Sequence, residues 1–166
     1  MPGALDGLTV IDFTNHLSGP YCAMILADQG ADVIKVERPG KGDDLRASPP
    51  HVAGESAPFM LWNRNKRSIR VNLKSDEGRE LLLKLAQDAD IVLESFRPGV
   101  LDRLGVGYEA LKAVNPGIVY CAISGYGQDG PYAQRAGHDL NYLAKAGLLG
   151  LTGDVGGPPV QSAAQI

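Results

Sequence analysis

LTVIDFTNHLSGPYCAMILADQGADVIKVE, residues 8–37, is the stretch whose reading decides the fold. Leu8 to Phe13 is a short apolar run rich in β-branched residues, which predicts a strand. The polar loop Thr14 to Gly19 follows. Pro20 to Gln29 carries strong helix formers, with Pro20 suited to the first helical position and Gly30 to the C-terminal cap. Asp32 to Glu37 predicts a second strand. Strand, helix, strand within so few residues is a crossover unit, and crossovers of this kind join parallel strands.

Outward from this unit the alternation continues. Arg38 to Pro58 is polar and rich in Gly and Pro without a clear period, and it predicts a surface excursion ending in a short helix at Phe59 to Asn63. Ser68 to Leu73 alternates like a strand. Ser75 predicts the cap of an amphipathic helix over Asp76 to Gln87, whose acidic first turn suits the helix dipole. Strands at Asp90 to Glu94 and Ile118 to Ser124 and helices at Tyr108 to Val114 and His138 to Leu149 complete the pattern. The fold class is α/β, Rossmann-like, with a mostly parallel sheet covered by helices on both faces. Ligands are then expected at the carboxyl ends of the strands.

Composition narrows the chemistry. With 166 residues, 44% of them hydrophobic, the chain is long enough for one core, and a net charge of -3 gives no reason to expect nucleic acid or an anionic membrane. Apolar runs are too short to span a bilayer, the first residues lack a signal-peptide pattern, and the reading is a soluble cytoplasmic protein. Cys22 and Cys121 are far apart in sequence and read as two buried thiols, with neither a disulfide nor a metal site.

Three constellations carry chemistry. Gly125 to Gly130 reads GYGQDG, which matches GxGxxG after a strand. That strand is a late one, Pro131 follows directly, and no acidic residue closes a following strand, so these glycines read as turn glycines of a site rim and not as a dinucleotide fingerprint. Arg38, Lys74, Arg97 and Arg103 fall at or just past predicted strand ends, where guanidinium and ammonium groups can hold phosphates. His138 stands in GHDLNY at a predicted loop-to-helix junction, where Gly137 permits close approach of a ligand, Asp139 is an acid favoured by the helix dipole, and Asn141 and Tyr142 can serve as packing or polar contacts.

In their order and spacing, DFTNHLSGPYCAMILADQGADVIKVERPGKGD, NRNKRSIRVNLKSDEG, ESFRPGVLDRLGVGYE, NPGIVYCAISGYGQDGPY and AGHDLNYLAKAGLLGLTG resemble the class III CoA-transferases of the CaiB/BaiF type. The resemblance covers essentially the whole chain and is nearest to the α-methylacyl-CoA racemases. It implies that Arg38, Val71, Asn72, Leu73, Lys74, Ser95, Phe96, Arg97, Arg103, Gly137, Asp139 and Tyr142 contact CoA. It implies an acyl-CoA thioester as substrate, no cofactor beyond CoA, and an interlocked homodimer. On His138 it places the role of one of two bases that exchange the α-proton of a thioester, a task suited to a neutral imidazole.

Two departures from the family pattern matter. Where formyl-CoA transferases read close to THVQAGP, this chain reads TNHLSGP, with Asn15 and Leu17 in place of the histidine and glutamine. The family's catalytic aspartate follows the segment matching PVQSAAQI, and this sequence ends at Ile166, so residues 1–166 are expected to be the N-terminal part of the large, CoA-binding domain without the small domain or the C-terminal return. Three readings result: a racemase using His138 and a downstream aspartate; a CoA-transferase working through an aspartyl intermediate; or, for a complete chain, a non-catalytic CoA-binding module. The 166-residue chain alone is expected to bind and not to turn over.

Overall fold

The computed structural model describes residues 2–161. They fall into two compact units, one up to Ile123 and one from Ser124 onward.

In the first unit, β1 (Thr9–Asp12), β2 (Asp32–Glu37), β5 (Lys66–Arg70), β6 (Ile91–Glu94) and β7 (Val119–Ala122) form one sheet in the order β5-β2-β1-β6-β7, with every neighbouring pair parallel. β3 (His51–Val52) and β4 (Glu55–Ser56) form a separate antiparallel hairpin. The helices are α1 (Ser18–Asp28), α2 (Ala57–Trp62), α3 (Asp76–Ala86), α4 (Val100–Arg103) and α5 (Tyr108–Val114).

Strand periodicity distributes the core to both faces. Val10, Val33 and Leu93 pack with Ala23 and Ala27 of α1 on one side. Ile11, Val36 and Val92 pack with Leu82 and Ala86 of α3, Leu101 of α4 and Leu111 of α5 on the other. Successive strands run outward from β1 through β2 to β5, and the chain then returns to β6 on the opposite flank. The order reverses between β1 and β6, and a crevice for ligands is expected outside their carboxyl ends.

The second unit contains α6 (Asp139–Lys145) and a 3-10 turn at Leu148–Leu151. Tyr142 is its organising side chain. Its ring packs against Tyr126 with centroids 5.2 Å apart, and its hydroxyl donates to the Gly137 carbonyl at 2.8 Å.

Several boundaries differ from the sequence expectation. α1 begins at Ser18, so Pro20 is its third residue and not its first. β5 lies at Lys66–Arg70 and not at Ser68 to Leu73, because the Asn72 side chain accepts from the Lys74 N–H and turns the chain toward α3. The last helix stops at Lys145, where Gly147 adopts a φ of 80°, and does not reach Leu149 as one helix. The excursion after β2 is more ordered than expected, holding a 3-10 turn at Asp44–Ala47 and the β3–β4 hairpin. Cys22 and Cys121 are partly exposed, not buried. Ser75 caps α3 as expected, its hydroxyl accepting from the Gly78 N–H at 3.1 Å.

Candidate functional site at the carboxyl edge of the sheet

The loops that leave β2, β5 and β6 carry the basic side chains. Arg38 follows β2, Lys74 follows β5, and Arg97 and Arg103 lie in and after the turn that leaves β6. All are exposed. Most other arginines and the two lysines beneath the sheet edge are neutralised locally: Arg46 by Glu37, Arg64 by Asp28, Arg67 by Asp32, Arg79 by Asp76, Lys35 by Asp43 and Lys66 by Asp12. Among the described residues Lys74, Arg97 and Arg103 form no ion pair. Cations left without a carboxylate suit a polyanionic ligand, since nothing must be displaced before a phosphate binds. Arg38 differs, since its guanidinium pairs with Asp44 and donates from Nε to the Gly42 carbonyl at 2.9 Å.

The turn after β5 and the turn after β6 are brought together by hydrophobic packing. Val71 is buried, and Leu73 and Phe96 pack against the same cluster. Asn72 is used structurally, with its carbonyl accepting from the Ser75 hydroxyl at 3.1 Å. Gly78 is required there for space: a Cβ on it would stand 2.1 Å from the Asn72 carbonyl oxygen. Beside Phe96, the Ser95 hydroxyl accepts from the Asn15 N–H at 3.0 Å, which ties the loop after β6 to the loop after β1 across the switch point.

Glu94 supports this turn from below. It is 4% exposed and accepts from the Phe96 N–H at 2.7 Å. Burial pushes its carboxyl above the ordinary range, outweighing the Phe96 and Tyr120 hydrogen bonds that favour the charged form. Burial and the neighbouring Glu94 push the Tyr120 phenol up as well.

In the second unit the GHDLNY residues are gathered at the start of α6. His138 is exposed and precedes the helix, with its N–H donated to the Asn141 side chain at 2.9 Å. A Cβ at 125 or 137 would stand 2.3 Å or 2.6 Å from the Tyr142 ring, so any larger residue there would displace that ring. The GYGQDG segment thus packs on a tyrosine through Gly125 and turns through Gly127 and Gly130, both at positive φ, as turn glycines do. The residues from Ser162 onward, and the aspartate expected beyond Ile166, lie outside the described residues.

Sequence reasoning missed the charges beneath the edge. Asp12, Lys35, Glu37 and Asp43 are buried. Glu37 accepts from Arg46 through both carboxylate oxygens, at 2.7 Å and 2.6 Å, from Ser68 Oγ at 2.5 Å and from the Asp43 N–H at 2.9 Å. Burial raises its pKa, but Arg46, Ser68 and the Asp43 N–H outweigh it and hold the carboxyl at about 2. The available signal was a charged residue inside an apolar strand, as in DVIKVE and LTVIDF.

Comparison with known proteins agrees with this architecture. The family model described as CoA-transferase family III matches residues 5–166. An acyl-CoA transferase of Fusarium pseudograminearum is 51% identical across 96% of this chain and 37% of its own length. Human succinyl-CoA:glutarate CoA-transferase is 47% identical across 95% of this chain and 36% of its own length. The crystal structure of a CAIB/BAIF family protein from Brucella suis superposes with a TM-score of 0.93 at 44% identity, covering 99% of this chain and 45% of that one. The chain therefore spans less than half the length of these relatives, and it belongs to CoA-transferase family III.

Proposed function

We propose that this chain is the CoA-holding part of an enzyme that transfers CoA between short carboxylic acids, with dicarboxylates as the acceptor class. The observation that carries the reading is 47% identity to human succinyl-CoA:glutarate CoA-transferase across 95% of the chain. The racemase expectation gives way as the first reading because these relatives are named for CoA transfer. In such an exchange one thioester is broken and one is formed, so the reaction needs no energy source beyond the donor thioester. The enzyme must hold CoA while the acyl partners change.

Lys74, Arg97 and Arg103 supply exposed, unneutralised charge for the nucleotide phosphates, and Arg38 joins them if a phosphate competes with Asp44. Leu73 and Phe96 give the turns between them an apolar floor. His138 stands solvent-exposed at the entry to α6, where a thioester can reach it.

The test uses the protein expressed from its whole reading frame, incubated with succinyl-CoA and glutarate. Formation of glutaryl-CoA and succinate in equal amounts is expected. Absence of transfer to every short dicarboxylate, together with deuterium wash-in at the α-carbon of a branched acyl-CoA, would replace this reading with α-proton exchange involving His138.

A further inference from the structure

We infer that the buried pairs Lys35–Asp43 and Lys66–Asp12 are positioning residues that fix the loop after β1 for catalysis without touching the ligand; this rests on the transferase reading. All four side chains are at most 2% exposed. Lys35 Nζ donates to the Thr14 carbonyl at 2.8 Å and stands 2.9 Å from Asp43 Oδ2, an ion pair without hydrogen-bond alignment. Asp43 Oδ1 accepts from the Leu45 N–H at 3.0 Å and faces the His16 N–H at 3.5 Å. On the other side, Asp12 Oδ1 accepts from the Thr14 N–H at 2.9 Å and the Thr14 hydroxyl at 2.5 Å. Lys66 Nζ reaches Asp12 Oδ2 at 3.0 Å, the Pro20 carbonyl at 2.9 Å and Asn63 Oδ1 at 2.9 Å.

The two lysines therefore grip the loop where it begins, at Thr14, and the first turn of α1 that follows it, at Pro20, with Asn15 and His16 between them. His16 is held at a φ of 67°, a left-handed conformation that a non-glycine residue keeps only where its surroundings enforce it. Asn15 is tied to Ser95, so the gripped loop lies at the switch point between β1 and β6, where a ligand is expected. Buried ion pairs seldom raise stability over an apolar substitute of the same volume, and they are a costly way to hold an ordinary connection. What they add here is a single loop conformation. The excursion after β2 contributes through Asp43, so the loop that carries Arg38 and the loop that carries His16 are joined by one carboxylate.

The test separates holding the fold from shaping the site, in the protein expressed from its whole reading frame. Lys35→Met alone leaves a buried carboxylate and is expected to lower the Tm. The paired Lys35→Met/Asp43→Leu variant is expected to recover the Tm yet keep a loss of kcat of about tenfold or more, with KM for the CoA thioester within about twofold. Recovery of both Tm and kcat in the paired variant overturns the inference. Should that variant not fold, the isosteric Asp43→Asn decides, with the same kcat loss at unchanged KM expected and an unchanged kcat overturning it. If the unsubstituted protein transfers no CoA at all, the transferase reading has failed by itself. Amide exchange then decides the grip: residues 14–17 exchanging faster in Asp43→Asn while β1 stays protected supports it, and unchanged exchange overturns it.

Discussion

Replacing Glu37 by glutamine removes one charge from the most heavily bonded carboxylate of the sheet edge. Glu37 is 3% exposed and its carboxyl is held at about 2, against an ordinary 4.5. A native pKa below the unfolded one means that the charged form stabilises the fold, fully above the unfolded value and less as pH falls through the native one. The linkage amounts to about 3.4 kcal/mol at pH 7 and about 1.4 kcal/mol at pH 3. The first figure is an upper bound, because Arg46 keeps 26% of its side-chain exposure and its charge is partly screened. Urea unfolding of the original chain and of Glu37→Gln at both pH values measures the difference. The expected result is a variant less stable by about 2–3 kcal/mol at pH 7, with the gap at least halved at pH 3. A gap of equal size at both pH values would refute the electrostatic account and leave only lost packing.

Glu94 is expected to behave with the opposite sign: its carboxyl is raised, so its contribution is full below the unfolded value and is lost as pH rises through the native one, and Glu94→Gln should be at least as stable as the original at pH 8 by urea unfolding, with that advantage gone at pH 4. Gly78→Ala should destabilise the chain by about 2 kcal/mol or more in the same assay, despite alanine's helix preference of about 1 kcal/mol, because the added methyl meets the Asn72 carbonyl. Arg97→Ala should weaken CoA binding by calorimetry about tenfold in the protein from its whole reading frame, if Arg97 holds a phosphate; an unchanged affinity would remove Arg97 from the site.

The β/α alternation was legible because its strands are short apolar runs and its connections carry local punctuation. Asp32–Glu37 and Tyr108–Val114 have the expected limits, and α3 announced itself through Ser75 and its acidic first turn. What could not be read depends on partners distant in sequence. The hairpin β3–β4 has two-residue strands with little burial and therefore little pattern. Lys35 and Lys66 look like ordinary charges until Asp43 and Asp12 are placed beside them by the sheet register. Strand-end reasoning put Arg38, Lys74, Arg97 and Arg103 on loops at the carboxyl edge of the sheet, and the structure has them there, since parallel topology fixes which loops share an edge. It could not show which of these cations had already found a carboxylate.

The two faces of the sheet also differ in how the chain assembles them. On the α1 face, Val10, Ala23, Ala27, Ala31 and Val33 come from one short stretch, joined by Leu93 alone among the buried members from farther along. On the other face, Ile11, Leu82, Val92, Leu111 and Ile118 must be collected from most of the first unit. Low sequence separation makes the first cluster the cheaper to close in entropy, so β1, α1 and β2 should form early in folding, even as the polypeptide emerges from the ribosome. Val10→Ala should then slow folding, whereas Leu111→Ala should chiefly speed unfolding. On this reasoning the opening crossover is expected to be the kinetic seed of the sheet, and folding and unfolding rates of the two variants, measured across a urea series, check it.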